Sequence, residues 1–334
     1  MAYMNQNAQQ IAKRDGSVDL LRVIGLALVI AAHCGFPQWF NELREFDVVL
    51  LMFLSGMSFL LSASSSGSWI AYAKKRFFRL VVPVWIFLTL FFLFFRLAGR
   101  SFSLSVIAQS YLFLSGGILF VWIYRIYFSV ALVNPFLKQI RERISFRWLM
   151  IGIAVVLLLN DLLSELFLAR LGTIGKVLEL AVTYTVAYAA VSLAGMEFHK
   201  AERKQRLVMT GLFGACFVLS GIFFRFPSFY AFKYPPRLYY ASYGLLWSCL
   251  LYLLLSQVPD AGRNLMCGKG IQWLSAQTMN IYMWHIFIFY VLDTFAPSLL
   301  EGHPWLDFGL LYFGSLLFAF LQSRVQRLAG KQNT

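Results

Sequence analysis

Charge, cysteine and recognisable catalytic or phosphate-binding motifs are all scarce in this sequence. Only 13% of its 334 residues are charged, against about 25% in a soluble globular domain. That scarcity excludes an ordinary cytosolic enzyme, a disordered chain and a nucleic-acid module. Cysteine occurs four times, at Cys34, Cys216, Cys249 and Cys267. No two of them have metal-ligand or redox spacing, so they read as buried or lipid-facing thiols and no metal is expected. No cleaved leader is evident. Ile30-Ala-Ala-His-Cys34 resembles a lipoprotein cleavage site only faintly, because His33 stands where a small residue is required. The first apolar run is also too long for a leader and reads as a retained span. There is no internal repeat, and the one short serine-rich stretch, Ser64-Ser65-Ser66-Gly67-Ser68, reads as a loop.

Apolar surface is abundant instead. Hydrophobic residues make up 60% of the chain, and 34 of them are phenylalanine. A helix crosses the bilayer with about 20 predominantly apolar residues. On that template ten spans are expected, at 17–35, 46–64, 80–96, 117–137, 148–169, 177–195, 207–224, 238–257, 276–296 and 304–323. The shorter, serine-containing run 102–115 reads as an interfacial or re-entrant segment. Connectors reach only about twenty residues, too few for a further soluble domain. The expected fold class is an all-α polytopic transmembrane helical bundle, with residues 1–16 a cytoplasmic segment, 17–323 the membrane domain and 324–334 a cytoplasmic tail.

The net charge of +14 would suit a nucleic-acid partner, but its location argues otherwise. With the N-terminus inside, nineteen of the 29 Lys and Arg fall on inner segments and eight on outer ones; Arg22 and Arg125 lie within spans. Cytoplasmic loops collect basic residues, so most of the charge is topology and both termini are expected in the cytoplasm. No nucleic-acid partner is expected.

Ionisable residues inside spans are costly and mark either function or a paired structural site. Asp19-Leu-Leu-Arg22 opens the first span, and His33 follows eleven residues after Arg22. On a continuous helix that spacing brings the two side chains within about 20° of one face, about 16 Å apart along the axis. Asp19 and Arg22 are three apart, within reach of a local ion pair. The competing assignment has Arg22 reaching back to the interface and His33 bonding a neighbouring helix. Arg76 and Arg79 in Lys74-Lys75-Arg76-Phe-Phe-Arg79-Leu-Val-Val-Pro83 share a helical face that suits phosphate capture; topology alone also asks for charge there. His285 in Asn280-Ile-Tyr282-Met-Trp-His285 is either a base, a substrate contact or a packing residue. Arg125 and Asp161 are candidate partners, alongside Asn160, Glu165 and Glu179. Ser55-Gly56, Ser115-Gly116-Gly117 and Gly211 with Gly214 suit close helix approach or local bends. Ser55 lacks a nucleophile-elbow context and is not assigned as one.

These elements, in this order, resemble the integral-membrane acyltransferase family 3, which modifies bacterial surface polysaccharides and related glycans. The resemblance rests on Arg22 and His33, Phe53-Leu-Ser55-Gly56, Arg76-Phe-Phe-Arg79 with Pro83, Pro135, and Ile281-Tyr282-Met-Trp-His285, and it covers nearly the whole chain. Lys233-Tyr-Pro-Pro-Arg237-Leu-Tyr-Tyr is similar to an outer loop of the polysaccharide-modifying members. The chain departs in having Met57 after the Ser-Gly pair, and only Phe120-Val-Trp122 where a tryptophan–aromatic pair is typical. It resembles a stand-alone form without a fused esterase-like domain.

The resemblance implies a bacterial cytoplasmic membrane protein that takes an acyl group, commonly acetyl, from cytoplasmic acyl-CoA (acetyl-CoA) to a glycan or lipid-linked sugar hydroxyl. Arg76, Arg79 and Arg22 would hold the donor's phosphates by side-chain charge. His33 would act as base, His285 would assist, and Asp19 would orient Arg22. Direct transfer and an acyl-enzyme relay through His33 both remain open. A transporter or flippase for lipid-linked glycans, or a polysaccharide polymerase, are the competing classes.

Overall fold

The computed structural model describes residues 15–62, 68–118, 120–259, 262, 266–300 and 302–331. Residues 63–67 of the serine-rich loop and the basic residues Lys13, Arg14 and Arg263 lie outside the described residues. The fold is all-helical, at 84% helix, with no strand among the described residues. In chain order the helices are α1 (Gly16–Ala31), α2 (Gln38–Arg44), α3 (Asp47–Leu61), α4 (Trp69–Leu80), α5 (Val82–Leu97), α6 (Leu104–Tyr111) and α7 (Trp122–Arg143). There follow α8 (Phe146–Leu162), α9 (Gly172–Leu178), α10 (Tyr184–Lys200), α11 (Arg203–Phe224), α12 (Tyr230–Lys233), α13 (Leu238–Ser256), α14 (Lys269–Ala276), α15 (Thr278–Phe295) and α16 (Pro304–Lys331). Short π-helical turns at Leu163–Phe167 and Glu179–Thr183 flank α9.

Local chemistry explains several boundaries. Pro83 at the first turn of α5 fits where its missing N–H is harmless, and the chain breaks between α4 and α5 just before it. A capping box between Glu202 and Gln205 starts α11, and Arg225 ends it in the left-handed region at φ 63°. The run 102–115 holds only the eight residues of α6, capped by Ser103, whose side chain accepts from the Val106 N–H.

Two compact units emerge. The first comprises Met1–Gly25, Glu42–Ser68 and Ser129–Gln272; the second comprises Leu26–Asn41, Trp69–Phe128 and Trp273–Thr334. In the first unit α3 is the central helix, with eleven of its fifteen residues buried. It packs against α10 and α13. The α3–α10 crossing is backbone against backbone. A Cβ at Gly56 would collide with the Ser192 carbonyl, and one at Gly195 with the Phe53 carbonyl. Small residues let membrane helices approach this closely. Gly211, by contrast, has nothing within 4 Å. In the second unit α15 packs on α16, with the Trp284 indole donating to the Gln322 side chain at 2.8 Å. Phe91, Phe95, Phe102 and Tyr290 form an aromatic core there.

Among the described residues, six helical segments are long and apolar enough to cross a membrane: Trp69–Leu97, Phe146–Leu166, Ile174–Lys200, Arg203–Phe224, Leu238–Ser256 and Pro304–Leu328. The other four expected spans fall on α1, α3, α7 and α15. Helices α1 and α3 have only 16 and 15 residues. Helix α7 carries Arg125, Lys138, Arg141 and Arg143 with Pro135 inside it, and α15 has 18 residues that include His285 and Asp293. These are the helices that carry most of the intramembrane polar residues, which is why length and hydropathy together exclude them.

The α3–α10 contact makes a direct prediction. Gly56→Ala should lower the thermal midpoint of detergent-solubilised protein, by an amount equivalent to about 1–3 kcal/mol of overpacking. Gly211→Ala should leave it unchanged.

Candidate active site

The second unit brings both sequence-predicted histidines together. Tyr282 and His285 lie three apart on α15, so they share a face. Their rings meet edge to face with centroids 4.7 Å apart. His285 is fully buried. Neither of its ring nitrogens makes a hydrogen bond of normal geometry among the described residues. A buried polar group normally has a partner, so these nitrogens mark a place prepared for one.

His33, in the same unit, is not on a helix. The backbone changes from an i→i−4 bond at Ala32 to i→i−3 bonds at His33 and Cys34, and Gly35 takes φ +64°. His33 therefore sits in the turn that ends α1. The 100° spacing used to put it on one face with Arg22 applies only as far as Ala31. Its ring lies parallel to that of His285 within 11°, centroids 5.6 Å apart.

Phe120 completes the group. Its ring stacks on His33 at 3.4 Å between centroids. Its backbone has φ 76°, a left-handed conformation that a bulky side chain rarely adopts. The loop that presents it is pinned at two points. Tyr282 donates its hydroxyl to the Phe120 carbonyl at 2.9 Å. The Ile118 N–H donates to the Ser110 hydroxyl at 2.8 Å, and Gly117 passes against the Ser110 backbone too closely for any side chain.

Arg76 and Arg79 also belong to the second unit, on the last turns of α4. Arg76 is half-buried with its guanidinium 4.9 Å above the Tyr72 ring, and Arg79 is exposed. No ion pair among the described residues engages either one. Two guanidinium groups on one helical face without carboxylate partners fit the charge of a polyphosphate donor. Arg125 stands in the first turn of α7, half-buried.

In the first unit the remaining predicted residues are engaged with near neighbours. The Arg22 guanidinium lies 3.6 Å from the Asp19 carboxylate and donates to the Ser58 hydroxyl on α3. Ser58, one helical turn past Ser55, could not be chosen from the sequence because nothing there pairs it with Arg22. Asp161 accepts from the Leu238 N–H with both oxygens, at 3.1 and 3.0 Å. That places a carboxylate at the positive N-terminal end of α13. Beside it, Arg237 pairs with Glu165 at 2.5 Å.

A buried charge cluster was not anticipated. Arg44 bonds Asp47 at 2.6 Å and Glu45 at 3.3 Å, and the Lys233 ammonium donates to Glu45 at 2.6 Å. All four residues are buried. Burial pulls the Lys233 pKa down, but the surrounding charge of Asp47, Tyr234 and Glu45 outweighs it, and the net shift is upward. A raised lysine pKa contributes stability that is complete below the free value of about 10.4 and is lost only as pH rises through the folded value. Burial has the opposite effect on its partner, raising the Glu45 pKa against the pull of Lys233. Sequence spacing could not reveal the cluster, because Lys233 and Glu45 are 188 residues apart.

The comparison with known families decides the identity. A family model described as an acyltransferase domain matches residues 15–324. The chain belongs to the integral-membrane acyltransferase family 3. No curated protein and no solved structure matches it. This acyltransferase is thus a multi-pass membrane enzyme.

For the acyltransferase's buried cluster, Lys233→Met should cost about 3–5 kcal/mol, because it leaves Arg44 alone to balance the two buried carboxylates of Glu45 and Asp47. Adding Glu45→Gln should recover most of that loss. A thermal denaturation cycle of the two single variants and the double variant measures this coupling, and simple additivity would contradict it.

Proposed function

We propose that this acyltransferase moves an acetyl group from cytoplasmic acetyl-CoA to a hydroxyl of a surface polysaccharide or lipid-linked sugar, in the bacterial cytoplasmic membrane. The observation that carries this reading is the histidine pair. His33 and His285 stand ring to ring, and the buried nitrogens of His285 make no hydrogen bond of normal geometry among the described residues. Helices α1, α3, α7 and α15 would complete ten crossings, with both termini in the cytoplasm.

In this reading Arg76 and Arg79 bind the donor's phosphates. Arg22 is held by Asp19 and Ser58 in the first unit. Arg125 and Asp161 serve as structural residues. A nitrogen of His33 takes the proton of the acceptor hydroxyl as its oxygen attacks the thioester carbonyl carbon. Imidazole titrates near neutral pH, which suits that task. The tetrahedral oxyanion then needs a donor. At neutral pH an imidazole carries at least one N–H, and His285 can direct one there. Collapse expels the CoA thiolate, which recovers the proton from His33, so the base is regenerated. His33 follows the end of α1, the expected outer end of the first span, and this supports an acceptor on the external side.

Membranes given labelled acetyl-CoA test the proposal. Wild type should label glycan, and His33→Ala should reduce labelling by about 10²–10⁴-fold, the usual worth of a positioned base, with equal protein in the membrane. Arg76→Ala and Arg79→Ala should raise the KM for acetyl-CoA. Wild-type labelling by His33→Ala overturns the assignment.

A further inference from the structure

We propose that the Phe120 ring is the wall that limits the acyl group to a short chain, making it a specificity-determining residue; this rests on the acyl-transfer reading above. The argument starts from three distances. Ring centroids are 3.4 Å apart for His33 and Phe120, 5.6 Å for His33 and His285, and 6.3 Å for Phe120 and His285. These lengths make a near-right angle at His33. Two rings at 3.4 Å can only be face to face, so Phe120 covers the face of His33 and His285 lies off its edge.

The nitrogens of an imidazole, with their lone pair and N–H, lie in the ring plane. The reacting groups therefore meet His33 at an edge, with the Phe120 ring standing beside them. An attacking oxygen sits about 2.6–3.2 Å from its base, and the carbonyl carbon about 3–3.5 Å from that oxygen. The acyl chain thus begins about 6 Å from the base, at the distance of the His285 ring and alongside the Phe120 ring that covers the face of His33. Tyr282 closes one side at 4.7 Å from His285, and Phe289 backs Phe120 at 6.3 Å. A methyl group needs little of that space. Each further methylene runs toward a ring.

The backbone supports the same conclusion. Phe120 holds φ 76° without being glycine, with its carbonyl tied by the Tyr282 hydroxyl. Strain kept at a position in contact with a catalytic base points to a requirement for that side chain in that place. Packing alone would be served by a relaxed residue.

The test is donor selectivity. Membranes carrying wild type, Phe120→Ala or Phe120→Gly are given labelled acetyl-, propionyl- or butyryl-CoA in turn, and label in glycan is counted. One methylene is worth about 10–200-fold in a tight apolar site, so wild type should prefer acetyl to butyryl by at least that order. Either variant should reduce that preference by at least about tenfold, with butyryl transfer rising in absolute terms. A merely structural role for Phe120 would lower all three donors together. The glycine variant accepts the left-handed backbone without strain, so it serves where the alanine variant fails to accumulate. Unchanged selectivity in a variant that still transfers acetyl overturns this inference alone, as does a wild type indifferent to chain length. A wild type that transfers no acyl group overturns the acyl-transfer reading and this inference with it.

Discussion

A polar side chain at bilayer depth must find its partner inside the protein, because lipid offers none. In the first unit many buried polar side chains are paired, in the spans and at their ends. Arg22 is held by Asp19 and Ser58, Arg44 and Lys233 neutralise Asp47 and Glu45, and Asp161 caps the start of α13. Arg141 pairs with Glu197 at 2.9 Å, and the Ser192 hydroxyl donates to Asn134 at 2.9 Å. In the second unit Arg100 pairs with Asp293 and the Trp284 indole with Gln322. The two ring nitrogens of His285 are buried without a hydrogen bond of normal geometry among the described residues, as are the side-chain amide of Asn160 and the His199 Nδ1 in the first unit. His285 differs from those in facing a second imidazole, that of His33.

Both units depend on close packing. The Gly56 and Gly195 crossing brings α3 and α10 to backbone contact, near the Ser192–Asn134 bond. In the second unit Gly117 serves a different end. It lets the loop before α7 turn against Ser110, and so delivers Phe120 to the face of His33. The energy of holding a bulky residue at positive φ, roughly 1–3 kcal/mol, is offset by the Tyr282 hydroxyl and the stacked ring. Tyr282 touches both His285 and the loop, so one side chain positions two parts of the site.

The all-helical class was legible from hydropathy alone, as were the helices with long uninterrupted apolar runs. The residues worth attention were legible too, because a charge or imidazole in an apolar run is conspicuous. Their arrangement was not. A helical wheel carried His33 onto the face of Arg22, whereas the chain leaves the helix at Ala31 and presents His33 from a turn. Phe120 read only as a departure from a family pattern, since neither its backbone conformation nor its partner is written in local sequence. The Lys233–Glu45 pair joins segments from opposite ends of the chain, and only tertiary structure brings them together. Helices α1, α3, α7 and α15 were expected as spans from runs that ignored where helices stop; the observed ends leave them short or polar.

Family membership makes this a membrane acyltransferase, and the histidine pair is the centre proposed for that activity. The central claim is that a glycan hydroxyl receives the acyl group. Mass spectrometry of the surface glycan from a strain lacking this chain tests it most directly. The account predicts that each repeat loses the mass of one acetyl group, and that wild-type protein restores it. A glycan of unchanged repeat mass, or one that is absent or shortened with its substituents intact, would contradict it.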